Sequence, residues 1–313
     1  MTRLASIAIG TNTTRLLIAE VEQGSIKQIL QRDEVMTGVG KGLSETGEIS
    51  NEAVQGCIGV MQDYQAQAQK LNARVTAVVA TSAIRDSRNR ESFLHTIRQS
   101  TGLDVEVISG DEEAHRVFLG VASHYAVNTR DRLAITDIGG GSTEVIVESR
   151  QTGDIVKASV NIGSRRMTET FLENDPPTQR QIERMTRHIQ SEIQAGLASF
   201  VEPTEQLIGV GGTVTTLAKI HLRRSGFATT ALEGHELVPA FIETLLSDLA
   251  GLSQAERERI PGLPAERASV ILAGTAILNN VVKVFQAVSV IVTEHGVLEG
   301  SLLAALHLKP KKL

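Results

Sequence analysis

The feature that most constrains the fold is an internal repeat. Ile7-Ala8-Ile9-Gly10-Thr11-Asn12-Thr13-Thr14-Arg15-Leu16-Leu17-Ile18 lies over Thr136-Asp137-Ile138-Gly139-Gly140-Gly141-Ser142-Thr143-Glu144-Val145-Ile146-Val147. Each copy reads as an apolar strand, a short turn of Gly, Thr, Asn or Ser, and a second apolar strand, which is a β-hairpin with a polar tip. The offset from Ala8 to Asp137 is 129 residues, too long for a solenoid period and suited to two related domains. With 313 residues the chain has room for both, expected at 1–126 and 127–313, the last helix packing back toward the first domain. Two domains that each open on such a hairpin predict a cleft between two facing polar turns.

Around the hairpins strands and helices alternate. Apolar runs at 75–80, 105–108, 155–162, 206–210 and 288–292 read as strands. Segments 52–70, 89–99, 112–126, 178–200, 213–220, 267–282 and the stretch from 297 read as helices, with Ser109 or Asp111 as the N-cap of the third. Interleaving of this kind indicates an α/β protein. The 309–312 tail reads as an ordinary solvated end.

Composition removes several functions. Lys and Arg number 31 against 36 Asp and Glu, a formal charge of -5, so bulk charge does not favour nucleic acid. Aromatics are 3% and Trp is absent, which leaves no platform for stacking bases. The single cysteine, Cys57, forms neither an intramolecular disulfide nor a thiolate metal cluster and is expected to be a small buried residue. No charged segment followed by an apolar core marks the N-terminus, and the most apolar stretch, 268–278, is too short to cross a membrane. The expectation is a cytoplasmic protein with no nucleic-acid or membrane partner.

The strongest chemical signal is Asp137-Ile138-Gly139-Gly140-Gly141-Ser142-Thr143-Glu144. Successive glycines remove every Cβ from the turn, so backbone N–H groups can approach an anion. Ser142 and Thr143 add hydroxyls, while Asp137 and Glu144 are hard oxygen ligands suited to a Mg²⁺ that keeps most of its waters. A second Gly-rich turn, Gly209-Val210-Gly211-Gly212-Thr213-Val214, follows a strand and opens a helix, where free N–H groups and the positive dipole end favour an anion. Each turn has a plainer reading as tight packing; together they favour phosphate.

Two further segments complete the set. Ala80-Thr81-Ser82-Ala83-Ile84-Arg85 ends a strand in small and hydroxyl residues and then an arginine whose planar fork suits an oxyanion. Asp111-Glu112-Glu113 puts three acids in the first turn of a predicted helix. The helix dipole alone favours them there, and an acid facing a polyphosphate could also take a proton from water. Arg88, Arg90, Arg165-Arg166 and Lys219 with Arg223-Arg224 are either solvated charges or wall contacts for a long polyanion. The histidines show no H-x-x-x-H or H-E-x-x-H spacing and no G-x-S-x-G elbow occurs, so neither a zinc site nor that type of serine hydrolase is expected.

Taken in order, these motifs resemble the exopolyphosphatase/guanosine pentaphosphate phosphohydrolase family, in the actin/sugar-kinase/Hsp70-type superfamily. The likeness spans Gly10 to Thr13, Ala80 to Arg85, Ile108 to Ala114, Asp137 to Glu144, Gly211 to Thr213, Ile260-Pro261-Gly262-Leu263 with Glu266-Arg267, and Glu299-Gly300. It implies two related ribonuclease H-like domains and processive removal of the terminal phosphate of inorganic polyphosphate, or of the 5′ phosphate of pppGpp. By resemblance Glu113 activates the attacking water, and Asp137 and Glu144 hold Mg²⁺, with K⁺ a further candidate cation. Asn12, Thr13, Arg85, Gly139, Gly140, Gly141, Ser142, Gly211, Gly212, Thr213 and Arg267 grip phosphate. A homodimer and a short two-domain chain, without the extra helical domains of long members, are also implied.

Three departures qualify the likeness. The family usually carries Asp in the first hairpin, where this chain has Ala8; the repeat shows the same gap, because Ala8 lies opposite Asp137. Gly38 and Leu298 stand where the family often has arginine. The lost acid keeps open a binding protein for polyphosphate or alarmone without turnover. A small-molecule kinase shares the fold, but the Glu112-Glu113-Ala114 motif argues against it.

Overall fold

A computed structural model describes residues 1–125, 134–148, 154–197, 203–204, 206–225 and 232–307. By its internal contacts the chain divides into two compact units, Met1–Ala126 with His295–Leu313, and Val127–Glu294.

The first unit opens with β1 (Thr2–Ile9), β2 (Thr14–Glu22) and β3 (Ser25–Val35). A short α1 (Leu43–Thr46) and α2 (Asn51–Lys70) lead to β4 (Arg74–Ala80), α3 (Ser82–Asp86), α4 (Arg90–Thr101), β5 (Glu106–Val107) and α5 (Gly110–Ala122). The sheet order is β3-β2-β1-β4-β5, with β1 antiparallel to β2 and parallel to β4. Central β1 is covered on both faces, so Leu4 to Ile9 are all buried and the sequence shows a continuous apolar run instead of alternation. On one face Ile7, Ile9, Leu16 and Ile18 join Val54, Met61, Tyr64, Phe93 and Ile97 in a single core. Helix α2 supplies that face because its apolar residues recur three and four apart, and Ser50 caps it by accepting from Ala53 N at 3.2 Å. Cys57 lies in this core, fully buried.

The second unit contains β6 (Ala134–Ile138), β7 (Thr143–Glu148), β8 (Ile155–Val160), α6 (Ser164–Phe171), α7 (Gln179–Leu197), β9 (Gln206–Val210) and α8 (Gly211–Arg224). It continues through β10 (Glu236–Leu237), α9 (Pro239–Ala250), α10 (Gln254–Arg257), a 3-10 turn (Ala265–Arg267), α11 (Ile271–Phe285) and β11 (Ser289–Val292). Its sheet, β8-β7-β6-β9-β11-β10, repeats the first from hairpin to parallel strand and adds β10 at the edge. Helix α11 is buried nearly all round, which explains its apolar sequence. The chain closes with α12 (Val297–His307), whose contacts count it with the first unit: it lies along α5, and Ser6 Oγ donates to Leu298 O at 2.9 Å.

Several boundaries differ from the sequence reading. Ser109, not Asp111, caps α5, accepting from Glu112 N at 3.1 Å. The helix expected over 267–282 begins as a 3-10 turn and becomes α-helical at Ile271. Strand β3 was not expected, since an edge strand with no fully buried residue leaves little periodic signal. Positions 126 and 198–200 of two expected helices and the 309–312 tail lie outside the described residues. No helix among the described residues is long and apolar enough to cross a membrane.

Candidate active site

In the first unit the hairpin turn is fixed by its own backbone. Gly10 N donates to Thr13 O at 2.9 Å, while Gly38 N and Gly40 N donate to Asn12 O and Thr11 O at 2.8 and 2.9 Å. Thr11, Asn12 and Thr13 are buried there. A Cβ at Gly40 would run into the Thr11 side chain, so a glycine is needed at that approach.

Arg85, on α3, reaches Glu113 in the first turn of α5. Its Nη1 donates to Glu113 Oε2 at 3.1 Å and to Ile108 O at 3.0 Å, and its Nε lies 3.8 Å from Asp86 Oδ1. Helical phase separates the three acids: Glu113 is buried, while Asp111 is exposed and Glu112 half-exposed. A carboxylate at this end of a helix is also stabilised by the dipole. The first unit therefore gathers Asn12 and Thr13 on one hairpin turn, and Arg85 with Glu113 as a charge-assisted pair.

In the second unit the glycine turn repeats the first. Gly139 N donates to Ser142 O at 3.0 Å, the counterpart of Gly10 to Thr13. Ser164 N donates to Gly139 O at 2.9 Å; Arg165 N and Arg166 N donate to Gly140 O at 2.9 and 3.0 Å; Arg166 Nε donates to Gly141 O at 2.8 Å. The first amides of α6 thus buttress the turn through its carbonyls. Gly163 must lack a Cβ for this, because one would overlap the Gly140 carbonyl.

The second Gly-rich turn opens α8. Gly211 has φ +89°, in the left-handed region that glycine alone enters cheaply, and a Cβ there would overlap Asp137 Oδ1. A Cβ at Gly212 would overlap the Arg267 guanidinium, and one at Gly274 would lie 2.5 Å from Thr213 Oγ1. Asp137, Gly211, Gly212, Thr213 and Arg267 are therefore brought together at the α8 N-terminus.

Asp137 on β6 pairs directly with Glu144 on β7, and Glu144 with Ser159 on β8, so the three side chains share a face of the sheet. Ser159 Oγ donates to Glu144 Oε1 at 2.7 Å. Two carboxylates in register, with the carboxylate of Asp137 cradled against Gly211, form a hard-oxygen donor set that fits a hydrated Mg²⁺. The same register position in the first unit pairs Ala8 with Arg15. A methyl and a guanidinium offer no metal ligand, and among the described residues Arg15 Nε is buried without a hydrogen-bond partner. At this register position the carboxylates are those of the second unit.

The basic clusters are largely paired with acids. Arg88 and Arg90 lie 3.6 and 3.2 Å from Glu48 and Glu91, Arg165 is 3.6 Å from Glu169, and Arg224 is 2.9 Å from Asp248. Burial pulls the Arg165 guanidinium down from its usual range, an effect its Glu169 partner opposes. Sequence reasoning missed Arg15, Ser159 and Gly163 as parts of the turns' surroundings. Arg15 could have been found from the repeat, since it falls opposite Glu144; Ser159 carried no signal of its own.

A family model described as the Ppx/GppA phosphatase family matches residues 17–309. Exopolyphosphatase 2 of Mycobacterium tuberculosis is 28% identical over 97% of this chain and 98% of its own length. The bifunctional 3-dehydroquinate synthase/phosphatase of Fusobacterium nucleatum is 31% identical over 97% of this chain and 47% of its own, so the chain spans about half the length of that relative. Among solved structures, the Aquifex aeolicus Ppx/GppA phosphatase matches with TM-score 0.72 and 30% identity over 98% of this chain and 100% of that one. The exopolyphosphatase from Cytophaga hutchinsonii matches with TM-score 0.86 and 26% identity over 97% of this chain and 98% of that one. The fold class is accordingly α/β, with two units whose mixed sheets repeat one strand order, as in the Ppx/GppA structures. By the extent of the family match, the chain belongs to the Ppx/GppA phosphatase family, and with it to the hydrolases that cleave phosphoanhydride bonds.

Proposed function

We propose that the protein is an exopolyphosphatase, releasing the terminal phosphate of inorganic polyphosphate by attack of a water held by Glu113. The observation that carries this reading is the buried Glu113 carboxylate, oriented at the start of α5 by Arg85 Nη1 at 3.1 Å. A carboxylate so placed can accept a proton from water as that water attacks phosphorus. The relative named exopolyphosphatase 2, matched nearly end to end, supports the substrate class.

The remaining residues take roles in binding and charge. Asn12, Thr13, the amides of Gly139 to Ser142, and Gly211 to Thr213 hold phosphate oxygens, while Arg85 and Arg267 supply fixed positive charge opposite the negative oxygens of the transferring group. Asp137 and Glu144 hold Mg²⁺, which when bound supplies charge neutralisation to the phosphoryl oxygens. Glu113 holds the attacking water and takes its proton.

Ala8 favours a second reading, a polyphosphate- or alarmone-binding protein with little turnover, because the first hairpin has lost an acid that the second keeps. The test is phosphate release from long-chain polyphosphate and from pppGpp in parallel with Mg²⁺, for the natural chain and for Ala8→Asp. Polyphosphate turnover by the natural chain well above that of pppGpp supports the proposal. Faster pppGpp turnover reassigns the substrate, and silence relieved by Ala8→Asp makes this a binding protein on an enzyme scaffold.

A further inference from the structure

Helix α5, which carries Glu113, is tied down by a buried cation that no part of the proposed chemistry uses. Arg116, 4% exposed, donates through Nη2 to both Glu106 oxygens at 2.8 and 2.9 Å and through Nε to Glu112 Oε1 at 2.7 Å. Glu106 is on edge strand β5, so the side chain pins the first turns of α5 to the sheet. Arg116 also sits three residues after Glu113 and four after Glu112, spacings that bring side chains together on a helix. Its carbonyl lies beneath Gly300, where a Cβ would overlap it, so the same residue anchors α5 against α12.

We propose that Arg116 is a positioning residue for Glu113: it takes up the charge of Glu106 and Glu112, so that Glu113 can work as an ionised base near neutral pH in a fixed orientation. The proposal rests on the reading of Glu113 as the water-holding base. The charge count around α5 makes the case. On the helix stand Asp111, Glu112, Glu113, His115 and Arg116. From α3 come Arg85, which reaches Glu113, and Asp86; from β5 comes Glu106. On α12, Glu299 is answered by Arg32 at 2.6 Å, and the stacked His124 and His295 lie beyond the far end of α5. The positive charge paired with Glu106 and Glu112 is Arg116. Without it the carboxylate of Glu112, adjacent to Glu113 in the chain, and that of Glu106 on β5 are left uncompensated, and like charges oppose ionisation of a nearby acid. Glu106 and Glu112 have side chains 58% and 39% exposed, so both can turn to water and loss of Arg116 need not unfold the helix.

The experiment measures kcat and KM for polyphosphate across the pH range in the full chain, with thermal melts alongside. The variants are Arg116→Met, Arg116→Lys, the Glu106→Gln/Glu112→Gln pair with and without Arg116→Met, and Glu113→Gln. Arg116→Met should lower kcat at neutral pH by about 10-fold with KM changed less than about 2-fold, and should move the acid limb of kcat upward by about 0.5 to 1 pH unit. Arg116→Lys, which keeps the charge, should retain the native limb. Adding the glutamine pair to Arg116→Met should bring the limb back. If Arg116→Met fails to fold, the glutamine pair alone decides, because an uncompensated guanidinium should move the limb downward. An acid limb that stays put in the folded Arg116→Met chain or in the glutamine pair overturns the proposal while Glu113→Gln is inactive. An active Glu113→Gln removes the base assignment itself, and this inference with it.

Discussion

At the scale of single residues, burial and partners decide what each group can do. The Cys57 thiol is pushed up to about 11 by burial, an effect its contact with Thr14 only partly offsets. A thiol of this kind is almost wholly protonated at pH 8, and the thiolate is the reactive form. An aromatic disulfide reagent should therefore leave Cys57 unlabelled in the native protein and react promptly in denaturant; fast native labelling would contradict its placement. His221 and His235 form a half-buried pair, Nδ1 to Nε2 at 2.8 Å, that requires one ring to donate and the other to accept. Burial lowers both from the ordinary 6.5, and His221 lowers His235 further. The unfolded chain then binds more protons as pH falls, so this contribution to stability is full above about pH 7 and is lost as pH drops through 6.5 toward the lowered native values. Melting temperature should drop more between pH 7.5 and 5.5 for the natural chain than for His235→Gln; equal drops would argue that the pair is not neutral in the folded state.

The hairpins show, at the scale of elements, why a short motif folds as it does. Gly10 and Gly139 play one role, each donating to the carbonyl three residues on, and the following segments buttress both turns. That equivalence was legible because glycines and hydroxyls recur at a fixed offset. Helix α12 was harder. Its place beside α5 depends on Gly120, Gly296 and Gly300, which let the two backbones touch: a Cβ at Gly120 would overlap Gly296 O, and one at Gly300 would overlap Arg116 O. The Glu299-Gly300 pair could be noticed in the sequence, yet its partner lies far away in the chain. Gly300→Ala should cost about 1–3 kcal/mol in urea unfolding, the usual range for overpacking, and should lower kcat because it displaces the helix bearing Glu113. A variant of native stability and rate would show that α5 and α12 have room to separate.

For the whole molecule, the repeat made most of the architecture readable: two mixed sheets, each entered by a polar-tipped hairpin and each with a parallel strand feeding a helix. Strand β3 and the Arg116 clamp stayed hidden for physical reasons. Strand β3 is a half-covered edge with no burial pattern to read. The return of α12 to the first unit, a contact across nearly the full chain, was expected; its seat along α5 was not. The Arg116 clamp joins β5 to α5 through charges that look in sequence like ordinary solvated residues. Candidate site residues were more visible than the groups around them, because glycines, hydroxyls and acids cluster in sequence, whereas Ser159 and Arg116 act only through folded neighbours.

Whether Glu113 is the base is decided by comparing the natural chain with Glu113→Gln for both polyphosphate turnover and polyphosphate binding. Glu113→Gln should lose about 10²- to 10⁴-fold in kcat, the usual worth of a general base, with binding within a few-fold of the natural chain. Undiminished turnover in Glu113→Gln, or binding that disappears together with it, would contradict the assignment of Glu113 as the residue that holds and deprotonates the attacking water.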